Sequence, residues 1–221
     1  MRCLLLSFSL VIACSAATIA PASYNMRNGD GQASGGGRNY WDKEYSGAGS
    51  TTTDAALLSG GLGNLTDGRI PTQNWIEVEN IEGTGLYVGW TFGNGVPRIT
   101  FNFLTSYNFN LITLDLDDAD GLGGVNLPAS ARVQIGAFDQ TFAIGQQAGA
   151  APKAIQLNLG GQAGSQINLT LNYGGNTSWI FLSEVRFDGN VTPSGIIPEP
   201  STTALFAIGG LALLFAKLRQ R

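Results

Sequence analysis

Between residues 98 and 118 the chain alternates apolar and polar side chains twice over, and this period of two constrains the fold more than any other feature. In RITFNF, Ile99, Phe101 and Phe103 fall on one face while Thr100 and Asn102 fall on the other. In NLITLDLDD, Ile112, Leu114 and Leu116 alternate with Thr113, Asp115 and Asp117. A helix would scatter these side chains around its axis, whereas a strand collects each set on one side. The spacing predicts two half-buried strands, with Asp115 and Asp117 turned outward. LYVGWTF, ARVQIGAF, KAIQLNL, QINLTLNY and SWIFLSEVRF extend the pattern to seven or eight strands. GGQAGS, between KAIQLNL and QINLTLNY, reads as a hairpin connection. No amphipathic helix longer than two turns is evident, so the expected class is all-β, an eight-stranded jelly-roll β-sandwich.

Composition removes several kinds of chemistry. The chain has no histidine, which excludes Ser-His-Asp and Cys-His catalysis and His-ligated zinc. No GxSxG, HExxH or Walker sequence is present, so an enzyme is not expected; a secreted carbohydrate-active enzyme built on paired carboxylates stands as the less favoured class. Residues 23–197 hold eight Lys and Arg against fifteen Asp and Glu, a net charge of −7, which argues against nucleic acid as a partner. Cys3 and Cys14 both sit in the first segment, leaving the central domain without a disulfide.

The two ends read as targeting segments. Arg2, the apolar run from Leu4 to Ala13 and the small residues after it have the layout of a secretory signal peptide, assigned to residues 1–22. The cut is placed after Ala22, with cuts after Ala16 or Ala17 as alternatives, and the VIAC sequence offers lipidation at Cys14 as a second reading. Residues 23–191 form the expected sandwich domain, whose glycine-rich part up to about residue 63 reads as flexible loop and edge strand; residues 192–197 form a linker. The apolar run from Ala204 to Ala216 would be about 20 Å long as a helix, short of the roughly 30 Å hydrocarbon core. Lys217, Arg219 and Arg221 follow it and would stay on the cytoplasmic side.

Pro198, Glu199 and Pro200, the apolar run and this basic end together resemble the PEP-CTERM sorting signal of Gram-negative bacteria, over residues 198–221. The resemblance implies a single transmembrane sorting helix and recognition of the tripeptide by exosortase, in cells that make extracellular polysaccharide. It also implies passage through the secretion translocon and signal peptidase, a stay in the inner membrane, and release to the cell surface or beyond.

NLTDG, YVGWTF, PRITFNF, VQIG and WIFLSEVRFDG, in that order over about residues 40–189, resemble discoidin or coagulation factor type C modules of the galactose-binding-like fold. That resemblance implies carbohydrate binding through loops at one end of the sandwich and a structural calcium, the one candidate cofactor. Tyr40, Trp41 and Tyr45 are the candidate glycan contacts, because an aromatic face stacks on a sugar ring; Trp75 and Trp90 read as core. Asp67 and Glu184 match the acidic positions of calcium-bearing relatives, and the acidic loop DLDDADG is a second candidate. The functional expectation is an exported, non-enzymatic surface or matrix protein that binds glycans or adheres. The alternative is a structural coat component without a ligand, glycosylated at Asn64, Asn168, Asn176 or Asn190.

Overall fold

The computed structural model describes residues 17–192; Cys14 and the leader, the tripeptide Pro198, Glu199 and Pro200, and the basic residues Lys217, Arg219 and Arg221 lie outside them. The elements are β1 (Ala17–Ile19), β2 (Ser23–Arg27), β3 (Leu57–Gly61), α1 (Trp75–Val78), β4 (Val88–Thr91), β5 (Arg98–Leu116), β6 (Ser130–Ile135), β7 (Phe138–Ala143), β8 (Lys153–Asn172) and β9 (Trp179–Val191). Described residues are mostly strand and loop, in a jelly-roll arrangement, and none of their helices is long and apolar enough to cross a membrane.

The architecture rests on β5 and β8, which pair antiparallel along nearly their whole length, from Arg98 with Thr170 to Leu116 with Lys153. On the other flank of β5 the neighbour changes. Its first half pairs with β2, Tyr24 opposite Phe101, and its second half pairs with β9, Ile112 opposite Phe187. β6 and β7 continue the first sheet beyond β8, β3 closes it beyond β2, and β1 and β4 flank β9 in the second. RITFNF and NLITLDLDD are therefore one strand, as are KAIQLNL and QINLTLNY. The expected hairpin at GGQAGS does not form. Gly160 and Gly161, at φ of +64° and +85°, bulge the strand without reversing it. Opposite them Asn110 is an extra residue relative to β9, which resets the parity: Phe109 and Ile112 both point inward and are fully buried.

The two halves close face to face over an aromatic core. Phe187 of β9 lies 4.9 Å from the Phe101 ring and 5.2 Å from Phe103, edge-on to both. Tyr24 joins them at 5.8 Å from Phe101. The inward set read from the alternation, from Ile99 to Leu116, is buried throughout. Its expected outward partners are not all outside: Thr113, Asp115 and Asp117 are buried as well. The long connection between β3 and β4 explains this. Gly68 bonds Glu184 beside Asp115, the α1 residue Trp75 takes Asp117 as its backbone cap, and Arg186 pairs with Asp115 at 2.9 and 3.0 Å.

The glycine-rich beginning is also core, not flexible linker. Tyr24, Asn28, Asp30 and Asp42 are fully buried. The Tyr24 hydroxyl donates to Asp42 Oδ2, Asn64 N donates to Asp42 Oδ1 at 3.0 Å, and the Asn28 side chain accepts from Gly29 N and Asp42 N. Buried backbone and carboxylate groups must find partners, and here they find each other across loops distant in sequence. Gly89 permits the close packing beside them: a Cβ there would lie 2.3 Å from the Phe181 ring. Within the segment assigned to the leader, β1 pairs Ala17 with Gly189 and Ile19 with Phe187, and Ile19 enters the core. A cut after Ala22 would remove this strand; a cut after Ala16 would keep it.

Burial raises the pKa of several carboxyls. Burial pushes Glu79 up to about 8, against hydrogen bonds from Tyr87 N and Leu86 N and the charge of Arg38 that favour ionisation. One Glu79 oxygen has no partner. Burial likewise lifts Asp117 to about 7 and Asp42 to about 6. An acid whose folded pKa is raised binds more protons folded than unfolded, so stability falls as pH rises from the unfolded value through the folded one.

Two outcomes follow from this packing. Phe187→Ala, which empties the centre of the core, lowers unfolding free energy by about 3–5 kcal/mol, measured by urea denaturation. The thermal midpoint drops between about pH 5 and pH 8, and Glu79→Gln, which keeps the bond from Tyr87 N, shrinks that drop; an unchanged pH slope in the variant would show that Glu79 is not its source.

Candidate functional site

The aromatic residues singled out from sequence divide between core and surface. Tyr40 and Tyr45 are 3% and 6% exposed, so neither ring can stack on a sugar. Tyr40 packs against Phe181 at 4.7 Å, Trp179 at 5.1 Å and Trp75 at 5.9 Å, while Tyr45 sits 5.1 Å from Tyr24 and gives its hydroxyl proton to the Tyr24 carbonyl. Polar neighbours in NYWDKEYSG hid this, because the loop buries Asn39, Tyr40, Asp42 and Tyr45 with no regular period. Trp41 is half-buried. Its indole Nε1 donates to Asp54 Oδ1 at 2.7 Å, which holds the ring against the loop. Trp90 is core, its indole bonded to the Arg27 carbonyl at 2.9 Å. Trp75 packs on the second core cluster under the Arg38 guanidinium, 5.5 Å from the ring centroid.

The open surface at this end lies around the loop between β8 and β9. Phe92 is 66% exposed and stands edge-on to Tyr173, 5.3 Å away. The Tyr173 hydroxyl donates to the Trp90 carbonyl at 3.0 Å, and Phe92 N donates to Ser178 O at 2.8 Å, so the ring rests on a braced support. A cleft of about 320 Å³ runs between Phe92 and the 174–178 loop. A second of similar volume continues past Asn176 to Asn126 and Gln146. Asn126 Nδ2 donates to Asn176 O at 3.1 Å and Gln146 Nε2 to Leu127 O at 3.0 Å, fixing the walls. The Asn176 side-chain amide is exposed and makes no hydrogen bond among the described residues. An exposed ring beside directional amide and hydroxyl groups is the arrangement that recognises a sugar, whose rings have an apolar face and a polar rim.

Sequence reasoning missed Phe92 because it continues the parity of Val88 and Trp90, both buried. The strand stops at Thr91, and Phe92–Asn94 form a 3-10 turn that swings the ring outward. The Gly-Asn-Gly that follows was the available signal.

The acidic pair is brought together. Asp67 follows a 3-10 turn packed on β9, and Glu184 of β9 accepts a bond from Gly68 N at 3.0 Å. Burial, then the neighbouring charges of Asp67 and Asp115, pushes Glu184 up to about 7. Asp67 is half-exposed and raised chiefly by burial, with Arg69 3.9 Å away. Two neighbouring carboxylates fit a hard, oxygen-ligated cation, with main-chain carbonyls and water completing the shell. No group of three or more acidic, His or Cys side chains suited to a metal occurs among the described residues. Of the DLDDADG acids, Asp115 pairs with Arg186, Asp117 caps Trp75, Asp118 is buried next to Asp117, each of these last two with one carboxylate oxygen lacking a partner among the described residues, and Asp120 is exposed. Asn64, one expected glycosylation position, is buried with its amide bonded to Gly85 O.

The family model for the discoidin domain-containing receptor 1/2, DS-like domain, matches residues 21–189. No curated protein matches the chain. Among solved structures, truncated AlyQ with CBM32 and alginate lyase domains aligns at 11% identity and a TM-score of 0.47, over 85% of this chain and 37% of that one. The chain thus spans little more than a third of AlyQ's length. The family 32 CBM of C. perfringens NanJ, in complex with galactose, aligns at 7% identity and a TM-score of 0.36, over 57% and 82%. The C-terminal domain of a Bacteroides fragilis chitobiase aligns at 16% identity and 0.42, over 80% and 99%. With more than half of its length matched by one family model, this chain is a member of the discoidin domain-containing receptor 1/2 DS-like domain family.

Proposed function

We propose that this protein is an exported, non-enzymatic glycan-binding module of the cell surface or matrix, and that the cleft beside Phe92 is where it holds the sugar. The observation that carries the reading is the exposed Phe92 ring, braced by Tyr173, at the mouth of a cleft lined by Asn176 and Thr177. The ring covers the apolar face of a pyranose, and the amide and hydroxyl groups accept and donate to its rim. Family membership agrees with a module that binds and does not catalyse. Delivery belongs to the same reading: a signal peptide cut after Ala16 leaves β1 intact, and a PEP-CTERM tail at residues 198–221 is held in the inner membrane and then processed by exosortase. Asp67 and Glu184 would hold calcium, whose charge there offsets the repulsion between the two carboxylates and ties the 64–68 turn to β9.

Three measurements test this reading. On a glycan array, wild-type protein binds a subset of neutral sugars and Phe92→Ala loses about tenfold or more of that binding; retention of binding in the variant would move the site elsewhere. Calcium raises the thermal midpoint, chelator reverses the rise, and Glu184→Gln abolishes the response. Terminal peptides from the cell-surface fraction begin at Ala17 and stop short of Arg221; recovery of only the intact tail would remove exosortase from the account.

A further inference from the structure

The exposed face of the first sheet carries an arginine row that neither the fold nor the loop-end cleft uses. One residue beyond the Met26–Ile99 pair, Arg27 of β2 and Arg98 of β5 line one cleft together. Across the next strands Arg98 faces Thr170, Thr170 faces Arg132, and Arg132 faces Thr141. Arg27, Arg98 and Arg132 are all exposed, while Met26, Ile99, Leu169, Ala131 and Val133 on the alternate positions point into the core. They are three of the eight cations in a domain of residues 23–197 with fifteen acids. Of the three, only Arg132 has an anionic partner among the described residues, Asp139, which accepts from both Nε, at 2.7 Å, and Nη2. The guanidinium groups of Arg27 and Arg98 make no hydrogen bond or ion pair among the described residues. Like charges close together on neighbouring strands oppose folding, so packing gives no reason for Arg27 beside Arg98.

The surface around the row is shaped and fixed. A cleft of about 350 Å³ lies between Arg98 and Arg132, over Asn168, Thr170 and Asn172. Another, of about 410 Å³, lies on the far side of Arg98, beside Arg27 and Leu57. Arg98 borders both, so the row is one continuous track, and it shares no lining residue with the clefts at Phe92 and Asn176. Its floor is a ladder of side-chain bonds: Thr100 to Asn168 at 2.8 Å, Gln166 to Asn102 at 3.0 Å, Asn102 to Ser23 at 3.2 Å and Asn172 to Ser130 at 3.0 Å. Neighbouring strands are about 5 Å apart, so the three guanidinium groups are rooted at intervals of about 5 and 10 Å along a straight line across the sheet.

We propose that this face binds an acidic, linear polysaccharide laid across the strands, its carboxylates taken by Arg27 and Arg98, and its hydroxyls by the amide and threonine side chains between Arg98 and the Arg132–Asp139 pair. A planar guanidinium donates two parallel bonds to a carboxylate, which a lone surface charge does not. Nucleic acid fits less well, because the row offers no aromatic platform on which bases would stack.

The test is affinity electrophoresis of the full chain through gels containing polygalacturonate or neutral dextran, with single-stranded DNA as competitor. Polygalacturonate retards the protein and dextran does not; Arg27→Gln with Arg98→Gln weakens retardation about tenfold or more, whereas Phe92→Ala leaves it unchanged. Undiminished retardation in the double variant, no retardation of the wild type, or displacement of polygalacturonate by an equal charge of DNA would each overturn the proposal. Arg27→Gln alone holds or raises the thermal midpoint by relieving the like-charge contact. A fall of several degrees would instead make the row structural and sink the idea. Because Phe92→Ala and the arginine variants are read against different glycans, failure of either site leaves the other's result standing.

Discussion

The pairing of β5 with β8 is the constraint on which the rest of the structure depends. Both strands pass through both sheets, so their hydrogen bonds fix the position of every other strand. A register slip by one residue along this ribbon would turn Phe101, Ile112, Leu114, Ile167 and Leu169 outward together. The bulge at Asn110 and the two left-handed glycines opposite it are what let one ribbon serve two sheets. They change parity where the sheet must turn its other face to the core, so that Phe109 and Ile112, on either side of the bulge, both point inward.

The loops are held by a different kind of interaction. Buried polar groups, chiefly Asn28, Asp30, Asp42, Glu79 and Asp117, take the place that helices or disulfides occupy in other small domains. Asp30 accepts from Thr91 N and Asn94 Nδ2, and so carries the turn that presents Phe92. Burying carboxyls is unfavourable unless their pKa rises or they find donors; all four rise, and each accepts at least one hydrogen bond. The result is a loop end that is rigid although almost none of it is regular structure, which is what a preorganised binding surface requires.

Much of this was legible in the sequence, though not evenly. Period-two alternation identified the inward face of β5 and the strand segments of β6, β8 and β9, because one residue in two must be apolar wherever a sheet covers a core. It could not show that RITFNF and NLITLDLDD are one strand, since a bulge and a turn both interrupt alternation in the same way. Tyr40, Tyr45, Asn28 and Asp42 were unreadable as core: their burial depends on contacts between loops far apart in sequence, and a loop imposes no period. Asp67 and Glu184 could be paired only through a family resemblance, and the structure does set them together. Phe92 was missed because strand parity was carried one residue past the point where the strand ends. The arginine row was hidden for a related reason: Arg27, Arg98 and Arg132 are far apart in the chain and become neighbours only through strand order.

β9 begins beside the 174–178 loop and ends at Val191, the last residue before the tail segment, with β5 along one flank and β4 and β1 along the other. A pull between the loop-end cleft and that segment acts along the strand's own axis. The bonds on both flanks then share the load at once, in shear, and do not open one at a time as they would if the strand were peeled from an edge. This strand order suits β9 to carry load along its axis. The short β1 pairs with the far part of that strand, Ile19 against Phe187, and adds its bonds to the same flank as β4.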